Sequence, residues 1–160
     1  MEIKGVLLDT SFFIRLLNEK DPLHGNVLGY FRYFLEKGIT LKMSTIAIGE
    51  FCVKGELNEL PIEKLQILPF NLNHAERAGK LASIVYGLKD ALDLPDRKLV
   101  SNDTKMFAQA DVEPQVEAYV TSDERCLKVV DLLKQHTSLN FLVINLRIPY
   151  NETFGLLDVL

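Results

Sequence analysis

The chain has 160 residues, 48% of them hydrophobic and 25% charged, with a formal net charge of -4. That length and balance describe a single soluble globular domain with a sizeable core. No apolar run reaches the ~20 residues needed to cross a bilayer, and the acidic excess weighs against a uniformly phosphate-binding surface.

Strands and helices alternate along the chain. Ile3 to Leu8 reads as a buried strand, with no polar alternation after Lys4. A helix is predicted from about Ser11 to Asn18. Asp21-Pro22 breaks the chain, and a second helix runs from Leu23 to Lys37, ended by Gly38. Ile39 to Met43 is the second strand, and Ser44 or Thr45 caps a helix running to about Leu57. Leu65 to Phe70 is a third strand after Pro61. Asn73, with Glu76 three residues on, is a start signature for a helix from Asn73 to about Lys89. Asp90 to Val100, with Pro95, is polar and loop-like. Asn102 caps a helix to about Val112, Ala118 to Thr121 is a strand, Asp123 to Gln135 a helix, and Phe141 to Leu146 the last strand. This order implies parallel β-α-β units with helices on both faces of one sheet of about five strands, a three-layer α/β/α domain.

Four carboxylates stand out against that frame. Asp9 and Asp123 follow directly on apolar strands, where open parallel sheets bind ligands. Ile46, Glu50, Val53 and Leu57 follow helical steps, so Glu50 interrupts an apolar stripe. Asp103 heads a stripe formed by Met106, Phe107 and Ala110, at a helix N-terminus. Four acids in one place repel each other unless a cation holds them, and an all-oxygen donor set suits Mg²⁺ or Mn²⁺. Of the 22 acidic and 18 basic residues, committing four acids to a cation leaves 18 of each. Lys54, Arg97, Lys98, Lys105, Arg125 and Lys128 are then candidates for a basic rim.

Each acid also has a plainer reading. Asp123 can start a helix in a capping box with Thr121 and Glu124, and Asp103 can serve the helix dipole. Glu50 can lie at the edge of its stripe, and Asp9 can cap a helix beginning at Thr10. The expected fold favours the joint reading, because it brings all four to one end of the sheet. His24, His74 and His136 fit no ligand spacing and read as surface or structural. Cys52 and Cys126 read as small core or near-core residues in a reducing compartment. Asp9 interrupts the N-terminal apolar run, so no signal peptide and a cytoplasmic location are expected.

Taken in order, Leu7-Leu8-Asp9-Thr10-Ser11, Ser44-Thr45-Ile46-Ala47-Ile48-Gly49-Glu50, Asn102-Asp103-Thr104-Lys105-Met106-Phe107-Ala108-Gln109-Ala110 and Val120-Thr121-Ser122-Asp123 resemble the four acidic motifs of PIN-domain ribonucleases. The match in order and context extends to about Leu146. The resemblance implies a PIN-like fold and a Mg²⁺- or Mn²⁺-dependent endoribonuclease acting on RNA. Many such proteins are toxins of type II toxin–antitoxin pairs. It also implies that Asp9, Glu50, Asp103 and Asp123 are the metal-binding catalytic acids, with Thr10, Ser11 and Ser122 as supporting hydroxyls. An antitoxin is then an expected protein partner, and no membrane partner is expected.

The chain departs from the family pattern at two places. Arg125 stands where a second acid often follows the last aspartate, and Thr104 and Lys105 replace small apolar residues after the third acid. A haloacid-dehalogenase-like phosphatase also begins with a strand-end aspartate. It needs another aspartate two positions on, and Ser11 occupies that place. The alternative outside enzymology is a catalytically silent PIN-like scaffold that binds RNA or protein. The segment 147–160 is expected to pack, through residues such as Phe154, Leu156, Leu157, Val159 and Leu160, on the body or on a second subunit of a homodimer.

Overall fold

The computed structural model describes residues 2–88 and 100–156. The expected loop through Asp90, the helix end at Lys89, and Arg97, Lys98, Leu157, Val159 and Leu160 lie outside the described residues. Five strands form one sheet in the order β3-β2-β1-β4-β5: β1 (Gly5–Leu8), β2 (Thr40–Ser44), β3 (Gln66–Leu68), β4 (Ala118–Thr121) and β5 (Leu142–Asn145). Every pairing is parallel. All residues of β1 and β4 are buried, which requires cover on both faces of the sheet's centre. That cover comes from α1 (Thr10–Leu16), α2 (His24–Glu36), α3 (Thr45–Phe51), α4 (Leu72–Gly87), α5 (Asn102–Val112) and α6 (Glu124–Lys134), and α7 (Tyr150–Thr153) closes the described chain.

The chain builds outward from β1 to β3, then returns to the other side of β1 for β4 and β5. The strand order therefore reverses between β1 and β4, and a crevice opens beyond their carboxyl ends. The opposite end of this pair is tight. A Cβ on Gly5 would lie 2.1 Å from the Gln115 carbonyl oxygen, and Glu117 N–H donates to Gly5 O at 3.0 Å. Gly38, at φ +64°, supplies the left-handed turn that ends α2 and starts the run into β2.

Several boundaries differ from expectation, each for a local reason. α1 begins at Thr10 because Asp9 accepts the Phe12 N–H and acts as its cap. α3 ends at Phe51, six residues short of Leu57. Gly55 sits over the Phe51 ring, and a separate 3₁₀ turn, Leu57–Glu59, begins where the Glu56 N–H meets Glu59. Val53 and Leu57 are 77% and 52% exposed, while Ala47 and Phe51 face the core, so the stripe through Glu50 is not a buried one. α4 is capped by Asn71 rather than Asn73, with His74 Nδ1 accepting the Asn71 N–H in return. Ser101, not Asn102, caps α5 through the Thr104 N–H.

Of the two cysteines, Cys126 is buried and Cys52 is exposed, because α3 stops before Cys52 reaches the core. His74 is structural: it is fully buried, and its Nε2 meets Glu113 at 2.7 Å. In the C-terminal segment, Phe154 stacks on Tyr33 at 4.5 Å and Tyr30 Oη donates to Ile148 O at 2.7 Å. These contacts set the aromatic residues of α7 and its C-cap against α2.

Candidate active site

Asp9 sits where β1 gives way to α1 and is only 4% exposed. Its backbone N–H donates to Val120 O at 3.1 Å, which fastens the end of β1 to β4. Its carboxylate accepts from Ser11 Oγ (2.6 Å), from Phe12 N (3.2 Å) and from the Thr121 hydroxyl. Burial pushes its pKa up to about 6 despite the three donors that favour the charged form, and nearby Asp103 adds to the rise.

Glu50 arrives from the next strand over. Ser44, the last residue of β2, caps α3 through the Ile46 N–H. The short helix then places Glu50 above the end of β1. Thr10 Oγ1 donates to Glu50 Oε2 at 3.3 Å, while Glu50 Oε1 is buried without a hydrogen-bond partner among the described residues. Burial, then the charge of Asp103, raises its pKa. Asp103 comes from the first turn of α5. Its pKa is also raised by burial and then by Asp123, and lowered by a hydrogen bond from Cys126 and by Arg125. Asp123 is exposed. Its N–H donates to Thr121 Oγ1 at 3.0 Å, and its carboxylate caps α6 by accepting from Arg125 N at 2.8 Å.

All four acids line one hollow of about 200 Å³, together with Thr10 and Ser11. The plainer roles are real as well: Asp9 and Asp123 cap α1 and α6, and Asp103 lies in the first turn of α5, and these placements aim the carboxylates. Thr10 and Ser11 touch the acids directly. Ser122 does so at one remove: its N–H donates to Ser11 Oγ at 3.1 Å, while its own Oγ accepts from Arg15 Nε at 2.8 Å.

Arg15 and Arg147 were not among the expected basic residues. Arg147 Nε donates to Ser122 O at 3.0 Å, and both arginines line a second hollow of about 450 Å³ with Arg125. That hollow shares Ser11 and Asp123 with the acidic one. Of the expected rim, Arg125 is placed here. Lys128 is exposed further along α6, Lys105 is half-buried on α5, and Lys54 lines an apolar hollow beyond Glu50 with Ile14, Leu17 and Phe51. Cys126, read from sequence as a core thiol, borders Asp103 and Asp123. Burial pushes its thiol pKa far up.

The donor set is all oxygen at Asp9, Glu50, Asp103 and Asp123, which fits a hard divalent cation. Burial and mutual repulsion raise three of the carboxyl pKa values, and a divalent cation held by the four acids would relieve that repulsion.

No family model and no curated protein matches the chain. Among solved structures it is similar to VapBC2 from Rickettsia felis bound to a DNA fragment from their promoter, at TM-score 0.60 and 16% identity over 88% of this chain and 98% of that one. It is also similar to DNA-bound VapBC from Salmonella typhimurium, at TM-score 0.57 and 15% identity over 91% and 99%. A third similar structure is Mycobacterium tuberculosis VapC20, a sarcin–ricin loop cleaving toxin, at TM-score 0.50 and 18% identity over 77% and 93%. At these identities the likeness is one of fold, and it agrees with the four-motif resemblance: the chain has the PIN-domain fold in the form found in VapC proteins.

Proposed function

We propose that this chain is a metal-dependent endoribonuclease that hydrolyses RNA phosphodiester bonds and acts as the toxin of a toxin–antitoxin pair. The observation that carries the reading is the convergence of Asp9, Glu50, Asp103 and Asp123 in one hollow at the strand-order reversal of a PIN fold. The similar VapC20 is a sarcin–ricin loop cleaving toxin, which supports a cleavage reaction of this class here.

In this reading Asp9, Glu50, Asp103 and Asp123 would hold Mg²⁺ or Mn²⁺, and the chemistry that the ion would supply is an acidified water and positive charge toward the leaving oxygen. The chain's own groups do the rest. Ser11 and Thr121 hold Asp9 in place and favour its charged form. Thr10 donates to Glu50 Oε2 and orients its carboxylate toward the other acids. Arg15, Arg125 and Arg147 offset the repulsion between the acids and phosphate, and seat the RNA backbone beside the scissile bond.

The protein partner in this reading is an antitoxin, as in the VapBC complexes. The apolar hollow beside Glu50 offers Ile14, Leu17 and Phe51 to its side chains, and an arginine from it would pair with the carboxylates.

The test is cleavage of structured RNA by the purified chain with Mg²⁺, with Mn²⁺ and with EDTA. Cleavage with either metal, absent in EDTA and lost in folded Asp9→Asn and Asp123→Asn, is the expected result. Equal cleavage by parent and both variants overturns the assignment. RNA binding without cleavage under every condition leaves a silent scaffold instead.

A further inference from the structure

The acidic hollow has an edge that is not all oxygen. Asp123 caps α6 and Cys126 follows three residues on, so the first turn of that helix presents both on one side. Asp103 faces them from the first turn of α5. The ligand atoms of Asp103, Asp123 and Cys126 all lie within 4.8 Å of one another. Cys126 is 1% exposed, while Asp123 is open to solvent, so the trio is closed on one side and accessible on the other.

A second observation comes from the strand beneath. Tyr119 is fully buried, and its hydroxyl has no hydrogen-bond partner among the described residues. It stands two residues before Thr121 on the same face of β4, and packs edge-to-face at 5.1 Å on Phe107, one helical turn from Asp103. The ionisable groups that bear on this hydroxyl are the acids Asp9, Asp103 and Glu50 and the Cys126 thiol. A buried hydroxyl is ordinarily satisfied. The hydroxyl thus stands unpaired beside the acids of the hollow, where a water held by a bound ion would satisfy it.

The geometry points to a second kind of metal site, in which Asp103, Asp123 and Cys126 bind a thiophilic divalent ion such as Zn²⁺ or Cd²⁺, with Tyr119 donating to the water in the fourth position. Two carboxylates, one thiolate and an open position form a donor set of the kind borderline and soft ions prefer, and one that Mg²⁺ does not. Bonds of about 2.0–2.3 Å in a tetrahedron place ligands roughly 3.5 Å apart, so the trio, within 4.8 Å now, closes by little more than ~1 Å on binding. On binding, the sulfur–metal bond forms, the S–H bond breaks and the proton leaves to solvent, with no change of oxidation state. Because Asp103 and Asp123 are shared with the nuclease reading, an ion held this way removes two of its four acids. Zn²⁺ therefore inhibits cleavage, a consequence that alone rests on the function proposed above.

The experiment is titration with Cd²⁺, read as the ultraviolet thiolate-to-Cd²⁺ charge-transfer band, in a Cys52→Ser background that removes the exposed thiol. One band equivalent per chain is expected. It should vanish in the additional Cys126→Ser or Cys126→Ala variant, with folding followed by thermal melting. Its Cd²⁺ affinity should fall on the order of 10-fold in Asp103→Asn or Asp123→Asn, which leave the thiol intact. Absence of the band in the Cys52→Ser protein overturns the site. So does a band that survives loss of Cys126, or an affinity indifferent to both aspartate variants. The band is read without RNA, so a failed nuclease assay and a failed metal site are separate results.

Discussion

The Thr121 hydroxyl, at the carboxyl end of β4, donates to Asp9 Oδ2 at the carboxyl end of β1, 112 residues away in sequence. Thr121 Oγ1 also accepts the Asp123 N–H at 3.0 Å, so one threonine links the first and last acids of the hollow. Thr121→Val removes both links at little cost in volume. Asp9 then loses a donor that favours its charge, so its pKa rises above about 6. The expected outcome is a shift of the acidic limb of metal-dependent cleavage to higher pH, measured as kcat/KM against pH, with folding retained.

Metal-free stability should fall as pH rises. Asp9 holds its proton more tightly folded, at about 6, than at its ordinary value of 3.8. It therefore favours folding below that ordinary value and loses the contribution as pH climbs through about 6. The whole span is about 3 kcal/mol, of which ~1 kcal/mol falls between about pH 5 and pH 7, or a few degrees of Tm. Glu50 and Asp103 act in the same direction. Melting curves in EDTA should show a lower Tm at the higher pH, and Asp9→Asn should remove most of Asp9's share.

Divalent ions should reverse that loss by mass action. At 100 times its dissociation constant an ion adds about 2.7 kcal/mol, so Mg²⁺ or Mn²⁺ should raise Tm by several degrees over EDTA. Glu50→Gln should reduce the increment, since it removes charge from the carboxylate whose Oε1 is orphaned. An unchanged Tm at millimolar metal counts heavily against the cation site.

The arginine-lined hollow predicts a salt signature. Arg125→Ala should weaken RNA binding and lower the slope of log affinity against log salt by about one. Arg147→Ala should do so too, with some loss of Tm, because its guanidinium also holds the Ser122 carbonyl. Filter binding across a salt series, in an Asp123→Asn background that prevents turnover, measures both.

The C-terminal aromatic contact predicts a stability cost. Phe154→Ala removes the stack on Tyr33 and should cost roughly 1–2 kcal/mol by denaturant unfolding. Light scattering of full length against a truncation after Pro149 tests the homodimer expected from sequence. A dimer that becomes a folded monomer places its contact in the tail, and a monomer in both forms removes the dimer.

The end-of-strand acids were legible because an apolar run that stops at a carboxylate, repeated in a β-α-β order, has few other geometries. Glu50 was read for the wrong reason. Its stripe through Val53 and Leu57 is exposed, and it reaches the hollow because Ser44 starts α3 at the end of β2. Arg15 and Arg147 left no local signal. Each meets Ser122 across 107 and 25 residues, and a lone arginine on a helix or after a strand carries no spacing to read. Cys126 and Tyr119 look like core residues in sequence because they are buried. What distinguishes them is the company they keep, which only the packing of α5 on β4 supplies.

Gly5 has a reach that its position conceals. It lies about four residues, ~13 Å, from Asp9 along β1, and it touches none of the acids. Yet a methyl group there meets the Gln115 carbonyl oxygen at 2.1 Å, where no flexible atom can yield. The strain would be relieved by spreading the foot of β1 away from the approach to β4. Because the two strands are rigid and paired up to their heads, that displacement carries to the Thr121–Asp9 junction. A harmless-looking Gly5→Ala would then act as a wedge at a distance, silencing the hollow without altering any group within it.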